Sequence, residues 1–281
     1  MNAPAMLAAC LALTVIALAG GSGWAQPADA GGEAEPAQEA GAARLPLPPA
    51  APRIASGPEY ERCLSQLALD PAGAAIFADA WEATGGGDGA AHCRALALVG
   101  TGSVAAGAEM LQALARRSQA SGRARAGVYG QAGQAWLIAG DPGRAFGAAT
   151  LALLLAPDDP DLLIDRSVAS ATLEHYQDAV DDLSLALASD PRRLDALVFR
   201  AAARRHLDQL DLAGEDIDRA VAADPDSPEA LLERGILRQR RGDPDGARLD
   251  WERATVLAPG TPAGDLAAQN LALLDAGAAR R

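Results

Sequence analysis

The side chains in this 281-residue chain that could carry out chemistry are few, because it has only three Cys and three His. The histidines, His92, His175 and His206, stand at no spacing from an acid, a Ser or a Cys that would build a catalytic triad or a metal site. A metal or redox site made from Cys63, His92 and Cys93 would lack a fourth ligand, and the chain has no Cys-x-x-Cys motif. We therefore predict no catalytic residue, no metal and no cofactor, which argues against an enzyme.

The cysteines instead favour a structural disulfide. Cys10 lies in a short apolar run over residues 7–19, which is followed by small residues up to Ala25 and is typical of a secretory signal peptide over residues 1–25. An exported chain enters an oxidising compartment, and cleavage would leave Cys63 and Cys93 as the remaining pair. We predict that these two are joined and that the protein is periplasmic or secreted. A lipid anchor at Cys10 stays open as an alternative, because residues 7–10 resemble a lipoprotein cleavage box.

Composition and charge restrict the remaining possibilities. The chain has 24 basic and 37 acidic residues, a net charge of −13, and every basic residue is Arg. Without a basic tract interleaved with aromatics, no nucleic-acid partner is expected. No segment after the signal peptide reaches 18 uninterrupted apolar residues, so no membrane span is expected. Ala and Leu dominate while aromatic residues make up only 4%, which favours helices and excludes an all-β fold.

The first part of the chain is expected to be disordered once the signal peptide is removed. Residues 26–57 are mostly Ala, Pro, Gly and Glu, with almost no large apolar side chain. Such a segment cannot offset the entropy of ordering its backbone. We interpret it as an Ala- and Pro-rich tether.

From about residue 126 the sequence repeats with a period of 34 residues. The clearest column consists of Pro157, Pro191, Pro225 and Pro259. Two charged columns follow the same period, and they are Arg166, Arg200 and Arg234, and Asp182, Asp216 and Asp250. The first unit has Ala132 and Ala148 at these two positions, so the Arg and the Asp occur together or not at all. This co-occurrence predicts ion pairs between the two helices of a unit.

The pattern resembles the tetratricopeptide repeat, a helix-turn-helix unit of 34 residues. Units that start at residues 126, 160, 194 and 228 have a large fourth residue in Tyr129, Leu163, Leu197 and Leu231, and a small eighth residue in Gly133, Ser167, Ala201 and Gly235. The eleventh residue departs from the usual aromatic, since Trp136 is followed by Ser170, Arg204 and Arg238. The resemblance implies an all-α, right-handed α-solenoid with four units over residues 126–262.

The segments on either side of these units are assigned by the same argument, because each unit must stack on a neighbour to close a core. Residues 263–281 are expected to form a C-terminal capping helix and tail. Residues 58–125 are expected to form about four helices, which are either degenerate repeats that continue the stack or a separate small helical domain.

The resemblance also implies a function, a scaffold or adaptor that binds a protein or peptide partner in a concave groove lined by the first helix of each unit. In this family the second, fifth, ninth, twelfth and thirteenth residues face that groove. The candidates here are Asp161, Ile164, Asp195, Val198, Arg205, His206, Glu229, Leu232, Ile236, Gln239 and Arg240. They would form an acidic edge, an apolar floor and an opposite edge with arginines, without the Lys/Asn clamp that holds a C-terminal carboxylate in some members. A structural subunit of a cell-envelope complex, or an enzyme with a catalytic N-terminal part, are the alternatives.

Overall fold

A computed structural model describes residues 53–278, and within this range every regular element is an α-helix. The helices in chain order are α1 (Pro58–Leu69), α2 (Pro71–Ala83), α3 (Gly87–Gly100), α4 (Val104–Arg117), α5 (Gly122–Ile138), α6 (Pro142–Leu155), α7 (Pro160–Thr172), α8 (Tyr176–Ser189), α9 (Leu194–His206), α10 (Leu210–Ala223), α11 (Pro228–Arg240), α12 (Pro244–Leu257) and α13 (Pro262–Ala278). The predicted signal peptide and residues 26–52 of the predicted tether lie outside the described residues. Between residues 53 and 278 no helix is both long enough and apolar enough to cross a lipid bilayer.

The proline column marks the end of the second helix in each unit. The residue before the proline leaves the helical conformation, with φ −132° and ψ 93° at Asp190 and φ −141° and ψ 97° at Asp224. A proline ring disfavours the α conformation in the residue before it, so the helix ends there. In the last unit the next helix then starts at a side-chain cap, because Ser227 Oγ accepts a hydrogen bond from the Ala230 N–H at 3.2 Å.

The turn between the two helices of a unit has a left-handed residue at the same position in all four units. It is Gly140 and Gly242 in the first and last units, with φ 79° and 83°, but Glu174 and Asp208 in the middle two, with φ 64° and 60°. The hydrogen bonds are those of a Schellman motif; in the second unit the His175 N–H donates to the carbonyl oxygen of Ser170 at 2.9 Å. The four units therefore share one turn geometry, although two of them lack the glycine that suits it.

The helices are arranged in two rows. Each helix packs against its neighbours in the sequence, and in addition α1 contacts α3, while α5, α7, α9, α11 and α13 contact one another in succession. We call the odd-numbered helices the inner row and the even-numbered helices the outer row. The inner row corresponds to the first helices of the predicted units, so the groove candidates all lie on it.

The core runs through most of the stack without interruption. One cluster of buried apolar side chains extends from Ile54 through Tyr60 and Leu111 to Leu237. A second cluster, which includes Trp251 and Ala267, lies between the fourth unit and α13. The first cluster does not break between α4 and α5, so the segment 58–125 shares a buried core with the helices that follow it. The first unit begins earlier than the period predicts, since α5 starts at Gly122 and Ser121 Oγ accepts a hydrogen bond from the Ala124 N–H.

Candidate functional site

The predicted Arg and Asp columns are in contact in all three units that contain them. Each pair joins an inner helix to the outer helix of the same unit through two parallel hydrogen bonds. The Nη2–Oδ1 distance is 2.6 Å in each of the pairs Arg166–Asp182, Arg200–Asp216 and Arg234–Asp250. The Nε–Oδ2 distances in the same order are 2.8, 2.8 and 2.9 Å. Such bidentate geometry fixes the orientation of both side chains as well as their charge.

In the last two units the pair is enlarged into a cluster that the sequence analysis missed. Arg204 Nη1 lies 2.7 Å from Asp216 Oδ2, and Arg238 Nη1 lies 2.8 Å from Asp250 Oδ2. Both arginines occupy the eleventh position, where the repeat pattern normally has an aromatic. Asp216 is only 1% exposed, so its charge depends on these contacts. The sequence did contain a sign of this cluster. In both units a second Arg follows the first by four residues, and residues at this spacing lie on one helix face.

The second unit has no such cluster. Its eleventh residue, Ser170, is buried, and its hydroxyl has no hydrogen-bond partner within residues 53–278. Asp182 is therefore held by Arg166 alone among the contacts described for this pair. The hydrogen bond with Asp182 raises the pKa of Arg166, whereas burial lowers the pKa of Arg204 in the third unit. The three units share the Arg–Asp pair but differ in how many guanidinium groups contact the Asp carboxylate.

The predicted acidic edge consists of three carboxylates at the second position of successive units. Asp161 is exposed and lies 2.7 Å from Arg193, which also contacts Asp195 at 2.8 Å. The Arg193 guanidinium thus forms ion pairs with two carboxylates, one on α7 and one on α9. Glu229 is half-buried and accepts a weak hydrogen bond from Ser227 Oγ at 3.4 Å. This edge keeps a net negative charge after the internal pairing.

The predicted apolar floor is largely covered by the protein itself. Ile164, Val198 and Leu232 are only 4%, 7% and 1% exposed, and all three belong to core clusters. Only Ile236 is partly exposed. Neighbouring inner helices approach closely enough to bury the fifth position, so the surface left for a partner is mostly polar.

The predicted arginine edge is also engaged in internal contacts. Arg205 Nε lies 2.5 Å from the buried carboxylate of Glu233, which links α9 to α11. Arg240 donates to Asp208 at 3.0 Å and to the carbonyl oxygen of Arg205 at 2.9 Å. His206 stacks on Tyr176 with ring centroids 4.4 Å apart, and its pKa falls to about 4 because of burial and of Arg205 and Arg240.

The last of the predicted edge residues, Gln239, is exposed. Because His206 is neutral near pH 7, Arg240 is the cation of this edge that is most accessible to a partner.

A buried acid on the inner row was not predicted. Asp165 lies at the sixth position of the second unit, and Gln134 Nε2 of the preceding unit donates to both of its oxygens at 3.2 Å. Burial raises the pKa of Asp165 to about 7, and the hydrogen bond from Gln134 opposes the shift. No groove position of the repeat pattern pointed to this residue.

A disulfide joins Cys63 to Cys93, with Cα atoms 6.0 Å apart, and so connects α1 to α3. Beside it a hydrogen-bonded chain crosses the same two helices and reaches α5. Tyr60 Oη lies 2.6 Å from His92 Nδ1, and His92 Nε2 lies 2.6 Å from Gln131 Oε1. Burial lowers the pKa of His92, which fits a neutral ring that accepts from Tyr60 and donates to Gln131. His92 is thus occupied structurally, and no group of three or more possible metal ligands occurs over residues 53–278.

These features together define an all-α helical-repeat solenoid of the tetratricopeptide type. No protein-family model matches the sequence, and no curated protein sequence matches it. Among solved structures, the chain is similar to one from the APC/C hetero-tetramer Cut9–Hcn1, with a TM-score of 0.60 and 15% identity over 76% of this chain and 42% of that one. It is also similar to MamA, residues 41 to the end, from Desulfovibrio magneticus RS-1, with a TM-score of 0.51 and 21% identity over 58% of this chain and 90% of that one. At these identities the likeness shows the fold alone.

Proposed function

We propose that this protein is a non-catalytic scaffold that binds a protein or peptide partner along its inner row. The observation that carries the proposal is the acidic edge of Asp161, Asp195 and Glu229. These residues occupy one position in three successive units, so the stack repeats a carboxylate at the spacing of the units. A surface that repeats one charge in register suits an extended partner segment.

The contacts along this face define the chemistry of the partner. Arg193 compensates only one of the two charges of Asp161 and Asp195, and Glu229 has no cation among its described contacts. The whole chain has a net charge of −13, which adds to the attraction of a cation. The partner segment therefore has basic residues on the flank that meets this edge and an acidic or polar group near Arg240. Because the floor is mostly covered, charge and hydrogen bonding contribute more to binding than apolar contact does.

One further observation supports the scaffold role, and another supports an oxidising compartment. The similar chain in the Cut9–Hcn1 structure was solved within a hetero-tetramer, so this fold takes part in a protein assembly in that case. The apolar run of residues 7–19 and the Cys63–Cys93 pair support export to the periplasm or beyond. Sequencing the amino terminus of the secreted form is expected to give Gln26 as the first residue.

The acidic edge can be tested by neutralising two of its three charges. Asp161→Asn combined with Glu229→Gln is expected to weaken partner binding about tenfold at low salt. The partner is first isolated from an envelope extract of the source cells with the tagged full chain, and its dissociation constant is then measured with purified proteins.

The matched control removes two exposed charges from the outer row, Glu215→Gln with Asp218→Asn on α10. It is expected to bind as tightly as the wild type. If both double variants bind equally well, the acidic edge is not the binding surface. The scaffold proposal fails if none of the proteins captured from the extract binds the wild type directly once both are purified.

A further inference from the structure

A cavity of about 420 Å³ opens between α4, α5 and α6, in the first of the four units. Its lining includes Tyr129 and Trp136 of α5, Leu151 of α6 and Arg116 of α4. The cavity is formed with two outer-row helices, so it is distinct from the acidic edge. Its volume is within the range of small-molecule sites in proteins.

The cavity lies where the third unit has an ion cluster. Trp136 and Leu151 occupy the same positions in their unit as Arg204 and Arg219 do in the third unit. Arg204 and Arg219 both converge on Asp216, with N–O distances of 2.7 and 3.6 Å.

The first unit has nothing for these positions to converge on. Ala132 and Ala148 stand there in place of Arg200 and Asp216. On α4, Gln112 accepts a hydrogen bond from Trp136 Nε1 at 3.1 Å, whereas on α8 Ser184 Oγ accepts one from Arg200 at 3.1 Å. This cavity thus lies in the unit that lacks the Arg and Asp of the ion pair.

Two of the cavity's charged groups, Glu109 and Arg144, are already paired with each other. Arg144 lies 2.9 Å from Glu109 and 3.3 Å from Asp141, and its guanidinium covers the Trp136 ring at 4.4 Å from the centroid. The charge of Arg144 is therefore compensated, while Glu109 and Asp141 together keep one negative charge.

Two other polar groups in the cavity have no partner among the described residues. Arg116 is exposed in the last turn of α4, and its side chain makes no ion pair or hydrogen bond there. Tyr129 is only 6% exposed, yet its hydroxyl likewise has no hydrogen-bond partner over residues 53–278. The hydroxyl oxygen itself is not buried, so it is open to the cavity and can bond to a ligand or to water. Leu151 and Ala113 add exposed apolar surface beside these groups.

We propose that this cavity binds a small carboxylic acid with an apolar body. The carboxylate pairs with the guanidinium of Arg116 and accepts a hydrogen bond from the Tyr129 hydroxyl, since an unpaired Arg favours an anionic oxygen acceptor. The apolar part contacts Leu151 and Ala113. For a ligand of about ten heavy atoms, such a site gives a dissociation constant of roughly millimolar magnitude.

The test uses phenylacetate as the probe and its uncharged analogue 2-phenylethanol as the comparison. The full chain is labelled with ¹⁵N, and the indole N–H resonance of Trp136, assigned with a Trp136→Phe variant, is followed during each titration. Phenylacetate is expected to shift this resonance to saturation, and 2-phenylethanol to bind about tenfold more weakly because the charge-assisted contact is lost. The same loss is expected for phenylacetate with Arg116→Gln, and a several-fold loss with Tyr129→Phe.

Arg117→Gln is the matched control, because Arg117 is the next residue in the same helix turn and is equally exposed but does not line the cavity. It is expected to bind phenylacetate as the wild type does. The proposal is overturned if no saturating shift is seen, if Arg116→Gln binds as tightly as the wild type, or if 2-phenylethanol binds as tightly as phenylacetate. The last result would indicate an apolar pocket with no role for the carboxylate.

Discussion

At the scale of single residues, Glu174 occupies a backbone conformation that its side chain disfavours. Its φ of 64° is close to that of Gly140 and Gly242, which hold the same turn position in other units. A left-handed conformation costs a residue with a Cβ roughly 1 kcal/mol, while glycine adopts it freely. The turn of the second unit therefore carries backbone strain. The Glu174 side chain makes no described hydrogen bond that would offset this cost.

Glu174→Gly is expected to raise the free energy of unfolding by about 0.5 to 1 kcal/mol, because the strain is relieved and only part of the gain is lost to the freer unfolded chain. The measurement is urea denaturation followed by circular dichroism at 222 nm. Glu174→Ala keeps the Cβ and is expected to give no such gain. Equal stabilisation by Gly and Ala would mean that the charge, and not the backbone, is responsible.

Asp165 predicts a pH dependence of stability with a definite sign. Its pKa is raised to about 7 in the folded protein, above its value in the unfolded chain, so the folded state binds this proton more tightly. The stabilisation is complete below about pH 4 and is lost as the pH rises through 7. Asp161, Asp159 and Arg193 are the charged groups whose fields reach this carboxyl, and the two acids favour its neutral form.

Asp165→Asn is expected to be more stable than the wild type at pH 8, by about 2 kcal/mol, and to lose this advantage as the pH falls to about 4. Thermal or urea unfolding at several pH values checks it, with Asp218→Asn as an exposed control that should follow the wild type. A difference between variant and wild type that does not change with pH would show that Asp165 is ionised throughout.

At the scale of elements, the ion clusters hold each inner helix to its outer helix with different numbers of cations. Asp216 is bound by Arg200 and Arg204, with Arg219 also 3.6 Å away, whereas among residues 53–278 Asp182 is bound by Arg166 alone. Asp216→Asn leaves two largely buried cations without their counter-ion, and we expect it to lower the free energy of unfolding by about 3 kcal/mol. Asp182→Asn is expected to cost clearly less.

Both variants are compared with Asp218→Asn by urea denaturation. Asp218 is on the same helix as Asp216 but is exposed, so its replacement should change stability little. Equal losses for Asp216→Asn and Asp182→Asn would show that the second guanidinium contributes nothing.

Some features of the helices could be predicted from the sequence, and others depend on tertiary packing. The proline column is enough to locate the ends of the outer helices, because proline restricts the residue just before it and this effect needs no tertiary information. The burial of Ile164, Val198 and Leu232 could not be predicted in this way, since it depends on how closely adjacent inner helices approach. The roles of Arg204 and Glu233 were missed for the same reason, because their partners lie on another helix and are chosen by packing.

At the scale of the whole molecule, the disulfide stabilises the end of the stack that has no clear repeat pattern. Cys63 and Cys93 are separated by 30 residues and connect α1 to α3. The chain-entropy model gives roughly 3 to 4 kcal/mol for closing a loop of this length.

Reduction of the disulfide is therefore expected to speed amide hydrogen exchange in α1 to α3 while leaving α7 to α12 unchanged, because repeat proteins can open locally. Mass spectrometry of the alkylated protein provides the companion measurement, and Cys63 and Cys93 should react only after reduction. Two free thiols at these positions in the exported protein would contradict the pairing, and uniform exchange along the chain would mean that the stack opens as a single unit.

Every cation in the ion clusters is a guanidinium group, because none of the 24 basic residues of the chain is Lys. Guanidinium stays protonated at any pH that a protein tolerates, and it does not react with reagents that acylate amines. An amine-reactive dye should therefore attach only at the α-amino group. The solenoid can then carry a single fluorophore for distance or binding measurements, with every cluster intact and without any engineered site.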